Sequence, residues 1–478
     1  MIRRAALVAL TAAAAALGLA AAPLAAQPGY DYPPMPAAGA PKPFAVPASE
    51  TYRLANGLQV TLIPYGQVPK AVVNLRVYAG SLNEGEDVGL AALAAQMLRE
   101  GAGGRSGADI AAAAASMGGN LNVGAGTHET FFGLNVLSEH AGDAVRLIAD
   151  LGRRPDLPAS EFERVRQAYA RNVAVGKSQP QSAADAALAA AYYGPDHPYG
   201  RLFPADARLA GYKLADVRRF YEANFGARRA RLFVAGRFDT AAVKAAIEQA
   251  FGSWASGPER LSLPPSPQPG PKVILVDRPG APQSTVRVAF PAPVAGSGDD
   301  IGFRVTDALL GGSFTSRITA NIREQKGYTY SPFSTVSYNP GQAQWEFDAD
   351  VTTDVTGAAL KEVFGEIRRL QTEAVPEEEA AGMRTWMAGT FVLQNASAAG
   401  LIGSVAERDF HGLPADWLTA YVPAVLKVSG ADMQRLAGRT LPLGKMTLVV
   451  VGDLAKVEPQ LKALPELQGV AFERVTPF

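Results

Sequence analysis

Few side chains in this sequence could act on a substrate or hold a metal. The 478 residues include no cysteine and four histidines. A thiol nucleophile, a thiolate metal site and a disulfide are therefore excluded. His128, His140, His197 and His411 stand isolated in the chain, and each is expected to be a surface or hydrogen-bonded residue. There is no G-x-S-x-G elbow and no Walker A loop. Two stretches remain. In "GLAALAAQMLREG", from Gly89 to Gly101, positions 92, 95 and 96 fall on one helical face at i, i+3 and i+4 spacing. They are Ala92, Ala95 and Gln96. In "GGSFTSRITANIREQKGYTYSPFS", from Gly311, Ser313 can cap a helix and Gly327 can end it in the left-handed conformation. Tyr330 would then follow on a strand, on the same face as Tyr328. From these residues alone, Arg323 tied to a nearby carboxylate and Tyr330 filling a sheet is an equally open reading.

The elements that must position these residues are read from patterning. Residues 1–26 combine "MIRR", an Ala-rich apolar run and small residues before Gln27, which predicts a secretory signal peptide. A periplasmic destination follows as an expectation, and no later run reaches a membrane span. A Pro/Ala-rich arm is predicted over 27–50 and a Pro-rich linker over 256–272. They bracket two domains, 51–255 and 273–478. The helix at 89–99 is expected to start at Asp87 and stop at Gly101. "LFVAGRFD" and "LVVVGDLA" repeat one pattern of buried strand, Gly turn and acidic helix start. The fold class predicted is α+β: an internal duplication of two homologous α/β-roll domains, each a mostly antiparallel sheet with helices packed on one face. Equal counts of 45 basic and 45 acidic residues leave no nucleic-acid footprint.

In order and spacing these segments resemble the M16 (pitrilysin or insulinase-type) metallopeptidases. That family carries H-x-x-E-H after a Gly-Leu-Ala lead-in. The frame survives as Gly89, Leu90, Ala91 and Met97. The two His positions are Ala92 and Gln96, and the Glu position is Ala95. "LPASEFERVRQAYARNV" resembles the helix that brings a third ligand, with Asn172 at that position. A catalytic zinc needs three protein donors and a water, so the resemblance implies degenerate positions and no metal in this chain. "SMGGNLNVGAGTHETFF" resembles the segment leading into the edge strand that pairs with peptide, which makes Asn122 a candidate substrate contact. "DFHGLPADWL" resembles a further family stretch in the second half. The segment from Gly311 resembles a Gly-rich turn followed by a helix ending in an Arg and Tyr pattern. The resemblance implies substrate contact for Gly311, Gly312 and Ser313. It implies that Arg323 and Tyr330 are donors to the oxyanion of a peptide bond.

Bacterial members of the family often divide these parts between two chains. The resemblance thus implies a zinc-free subunit of a heterodimeric periplasmic peptidase, inactive alone. It would bind unfolded peptide and lend Arg323 and Tyr330 in trans to an H-x-x-E-H paralogue that holds Zn2+. The alternative is a catalytically inert peptide-binding or scaffold protein of the same fold.

Overall fold

The computed structural model describes residues 44–263 and 270–478. The signal segment, most of the Pro/Ala-rich arm and the middle of the linker lie outside the described residues.

Alternating apolar residues between tight turns build the first sheet. Its strands are β1 (Glu50–Arg53), β2 (Gln59–Pro64), β3 (Lys70–Val77), β4 (Leu121–Ala125), β5 (Thr130–Leu137) and β6 (Ala230–Gly236). Their spatial order is β1-β2-β6-β3-β5-β4. The stretch "TYRLANGLQVTLIPY" predicts a hairpin with a tight Asn-Gly turn, and that turn joins β1 to β2, with Gly57 at φ 98°. Leu58 donates its N–H to Asn56 Oδ1 at 3.2 Å. The second sheet contains β7 (Lys272–Asp277), β8 (Gln283–Ala292), β9 (Phe333–Asn339), β10 (Gln342–Thr352), β11 (Thr447–Gly452) and β12 (Phe472–Arg474). It runs β12-β7-β11-β8-β10-β9. Five strands of each sheet correspond in order. One parallel pair repeats as well: β2 with β6 from Gln59↔Arg231, and β7 with β11 from Lys272↔Thr447. The neighbouring pairs β3–β6 and β8–β11 are antiparallel. The outermost pair breaks the symmetry, since β1 is antiparallel to β2 whereas β12 is parallel to β7.

The expectation of helices on one face is incomplete. Two helices that the sequence reading did not assign, α3 (Pro180–Tyr193) and α5 (Ala398–His411), cross to the sheet of the other half. The period of two along a strand explains how both faces are used. On β11, Leu448 and Val450 face the helices of their own half, while Val449 and Val451 pack on Ala184, Ala187 and Leu188 of α3. Phe233 and Ala235 of β6 join the cluster containing Leu401 and Val405 of α5. This exchange explains why the described residues after Pro43 form one compact unit despite the duplication.

Other differences are local. The stretch 120–136 reads in sequence as one strand but is a hairpin, closed by the Gly126 N–H donating to Glu129 O at 2.8 Å. The sequence pattern reads as one helix over 414–438, whereas the structure has two, Trp417–Lys427 and Gly430–Thr440. Ser429 and Asp432 form a capping box at the break.

Candidate functional site

The helix framed like a metal site is α1 (Leu90–Met97). Leu90, Leu93 and Met97 are buried in the first-half core, which is sufficient reason for the helix to persist. Its start is not capped by Asp87. Gly89 precedes it in the left-handed conformation at φ 88°, and the N–H groups of Gly89 and Ala91 donate to the Glu84 carboxylate at 2.9 and 2.6 Å. Asp87 instead pairs with Arg208 and Arg219. Burial pushes the Glu84 carboxyl up to about 7. Gly101 lies in a two-residue strand beyond the helix end, which is capped at Leu98.

Ala95 is buried, and Ala92 and Gln96 are half-buried beside it. Asn172 is exposed on α2 (Ala159–Ser178), a helix that packs on α1. Two methyl groups and two neutral amides do not make a zinc donor set. Among the described residues, no group of three His, Cys, Asp or Glu is placed to hold a metal. The residues therefore do not fit the family's metal. The purified chain should show no stoichiometric zinc by elemental analysis. The triple variant A92H/A95E/Q96H should bind zinc only weakly while Asn172 remains, because one ligand is still lacking. One zinc per wild-type chain, lost together with peptidase activity on chelation, would overturn this.

Beside α1 runs β4, one of the two edge strands of the first sheet. It pairs with β5 on one side only, and Asn122 is exposed on it opposite Gly133. An unpaired strand edge offers backbone donors and acceptors to an extended chain.

The second stretch is built around a buried carboxylate. Asp307 ends the helix Asp300–Asp307. Its Oδ1 accepts from Ser334 Oγ at 2.5 Å and from Trp345 Nε1 at 2.6 Å. Burial raises its pKa to about 6. The chain then widens into a π-helical turn, Ala308–Gly312. A Cβ on Gly312 would lie 2.7 Å from Asp307 Oδ2, and one on Gly311 would collide with Ser334 Oγ. The Gly-Gly pair is thus required for packing. Ser313 does not cap the following helix; Ser316 does, accepting from the Thr319 N–H at 3.3 Å. Ser313 is 3% exposed, with its hydroxyl 3.7 Å from Met383 Sδ on α4 (Glu377–Gln394). Gly311 and Ser313 therefore support this turn from beneath. Arg317 is fixed to α4 by a two-pronged pair with Glu379, at 2.8 and 2.6 Å.

Arg323 lies on the π-helical stretch Thr319–Gln325. Just beyond it, the Lys326 N–H donates to Asn321 O, five residues back, at 3.0 Å. Gly327 ends the helix as expected, at φ 64°. Tyr330 precedes β9 rather than lying in it and is 79% exposed, so it fills no sheet. The Arg323 guanidinium carbon is 5.1 Å from the Tyr330 ring centre. Among the described residues, the one carboxylate paired with Arg323 is its neighbour Glu324, at 3.4 Å. Among the described residues, neither side chain has a hydrogen bond, ion pair or ring contact with the first half.

The histidines are less isolated than the sequence suggests. His128, His197 and His411 gather with Tyr193, Tyr199 and Phe410 where the two halves meet. His128 Nε2 is 2.9 Å from Asn339 Oδ1, at the tip of the β9–β10 hairpin. Burial lowers the pKa of His411 to about 4 and that of His128 below its ordinary value. His128 joins the two halves through Asn339 and the Phe410 ring. His140 sits on the surface, 3.3 Å from Asp143. Sequence reasoning missed this cluster because its members come from segments up to 283 positions apart.

The same architecture recurs among solved proteins. The peptidase M16 inactive domain of Pseudomonas fluorescens superposes with a TM-score of 0.78 at 21% identity, covering 84% of this chain and 98% of that one. A protease from Helicobacter pylori gives 0.76 at 19%, covering 85% and 100%. In sequence, a protein of Mycobacterium bovis described as an uncharacterised zinc protease is 27% identical over 350 residues, 71% of this chain and 77% of the relative. A Rickettsia felis protein of the same description is 24% identical, covering 73% and 84%. The family pattern for insulinase (peptidase family M16) matches residues 60–201, and that for the peptidase M16 inactive domain matches residues 212–385. With both halves matched and the duplicated sheet order in place, this chain belongs to the M16 peptidase family.

Proposed function

We propose that this protein is the zinc-free subunit of a two-chain M16 peptidase. It grips an unfolded peptide along the free edge of β4 and lends Arg323 and Tyr330 to a partner that carries H-x-x-E-H. The observation that carries this reading is a contrast within one chain. The helix α1 keeps its packing residues and has no metal donors. The Arg323 guanidinium lies against the ring of the exposed Tyr330, and among the described residues neither is tied to the first half. Donors held by ring contacts and one open ion pair suit a site completed by another molecule. Exposed Trp386 and Leu393 on α4 add apolar surface of the kind that subunit contacts cover. The Ala-rich leader supports export, with assembly in the periplasm. Among the described residues no helix is long and apolar enough to cross a membrane.

The test is co-purification from the native host with metal analysis of each chain. Zinc should follow the H-x-x-E-H chain alone. The recombinant pair should associate at micromolar concentration in sedimentation and bury more than ~2,000 Å², as persistent complexes do. Separate monomers under those conditions would instead favour an inert peptide-binding or scaffold role.

A further inference from the structure

We propose that Phe314 is a positioning residue: its ring holds the Arg323 guanidinium in place from the side opposite in sequence to Tyr330. The inference deepens the reading above and rests on it for the catalytic consequence alone. Phe314 follows the buried Gly311–Ser313 turn and is 71% exposed. An aromatic side chain left that open contributes little to its own core. What it does cover is charge. The Arg323 guanidinium carbon lies 4.3 Å from the Phe314 ring centre, closer than the 5.1 Å to Tyr330. Both distances are within the range at which a ring face attracts a cation.

The alternative restraint is weak. Glu324 approaches Arg323 only at 3.4 Å and is itself 61% exposed, and open ion pairs of this kind contribute little. Yet the Arg323 side chain is only 21% exposed, with both rings set against its guanidinium. No hydrogen bond uses its N–H groups among the described residues. Contact through a ring face leaves those donors free for an acceptor, which a carboxylate clamp would not. The foundation beneath Phe314 is rigid, since Ser313 is buried on Met383 and Arg317 is locked to Glu379. The geometry therefore gives Arg323 a fixed direction without using its donors.

The test has two arms. In the purified chain, phenylglyoxal modification of Arg323 is followed by peptide mass mapping, with the exposed Arg99 as internal reference. Phe314→Ala should raise the Arg323 rate relative to Arg99 by severalfold, and Phe314→Tyr should restore it. An unchanged ratio in Phe314→Ala, with an unchanged melting temperature, overturns the proposal whatever the protein's activity. In the reconstituted pair, Phe314→Ala should lower kcat about two- to fivefold, the scale of an exposed cation–π contact. KM should stay constant, and Phe314→Tyr should recover kcat. Tyr330→Phe is run alongside. If Tyr330→Phe is damaging and Phe314→Ala is silent in both arms, the positioning role falls and the subunit reading stands. If Tyr330→Phe is silent while the labelling ratio rises, the subunit reading falls and the role of Phe314 in holding Arg323 stands.

Discussion

Tyr330→Phe, assembled with a zinc-bearing M16 partner, should lower kcat about 10²–10³-fold, or about 2.7–4 kcal/mol, the cost of losing one oxyanion donor. The side chain is 79% exposed, so removing its hydroxyl disturbs no packing and no internal hydrogen bond. KM should change little, because a donor aimed at developing charge is worth more in the transition state than in the ground state. Arg323→Lys should be harmful too, since a point charge lacks the planar fork and sits differently against the Phe314 and Tyr330 rings. The measurement is kcat of the reconstituted pair at matched zinc content. A ratio within about twofold of unity would remove Tyr330 from the mechanism and move the balance to the scaffold role.

Trp345→Ala should be the most damaging substitution for the fold of the second half. Trp345 has no exposed surface, packs 5.8 Å from the Phe290 ring and donates to the buried Asp307. Truncating it should cost about 3–5 kcal/mol, or roughly 10 °C in Tm for a domain of this size. Asp307 also brings a pH signature. Its pKa is raised to about 6 by burial, so its favourable contribution is complete below about pH 4, the ordinary range of a free Asp. That contribution is lost as pH rises through about 6. Asp307→Asn keeps an acceptor oxygen for Ser334 and Trp345 and does not titrate. Its stability relative to the native chain should therefore rise between pH 5 and pH 7.5. Denaturant midpoints across that range decide the matter, and a flat difference would show that Asp307 is not carrying the dependence.

Much of the site was legible because the signals were local. Helix α1, its missing donors, the Asn-Gly turn and the Gly327 stop each depend on residues within a few positions of one another. The repeat of buried strand, Gly turn and acidic helix start foretold two equivalent sheets, since a strand buried on both faces reads as a continuous apolar run. Local signals also misled. Asp87 has the right type to cap α1, but Glu84, three residues earlier, reaches both free N–H groups. Ser313 looks like a cap, but the π-helical turn before it carries it into the core and leaves that role to Ser316.

By itself, the sequence determined that Ala92, Ala95, Gln96 and Asn172 offer no zinc donor set at the family's ligand positions, because donor chemistry belongs to residue type. It also determined the duplication, because strand and helix periodicities are written along the chain. Tertiary structure alone decided the rest. Helices α3 and α5 are rich in small residues and lie on the opposite half's sheet, a placement that no local pattern encodes. The distant histidines met only when the halves closed on each other. The pattern around Tyr330 is compatible with a place in the sheet and with one facing outward; the strand begins at Phe333, and that late start leaves Tyr330 outside the ladder, in contact with Arg323.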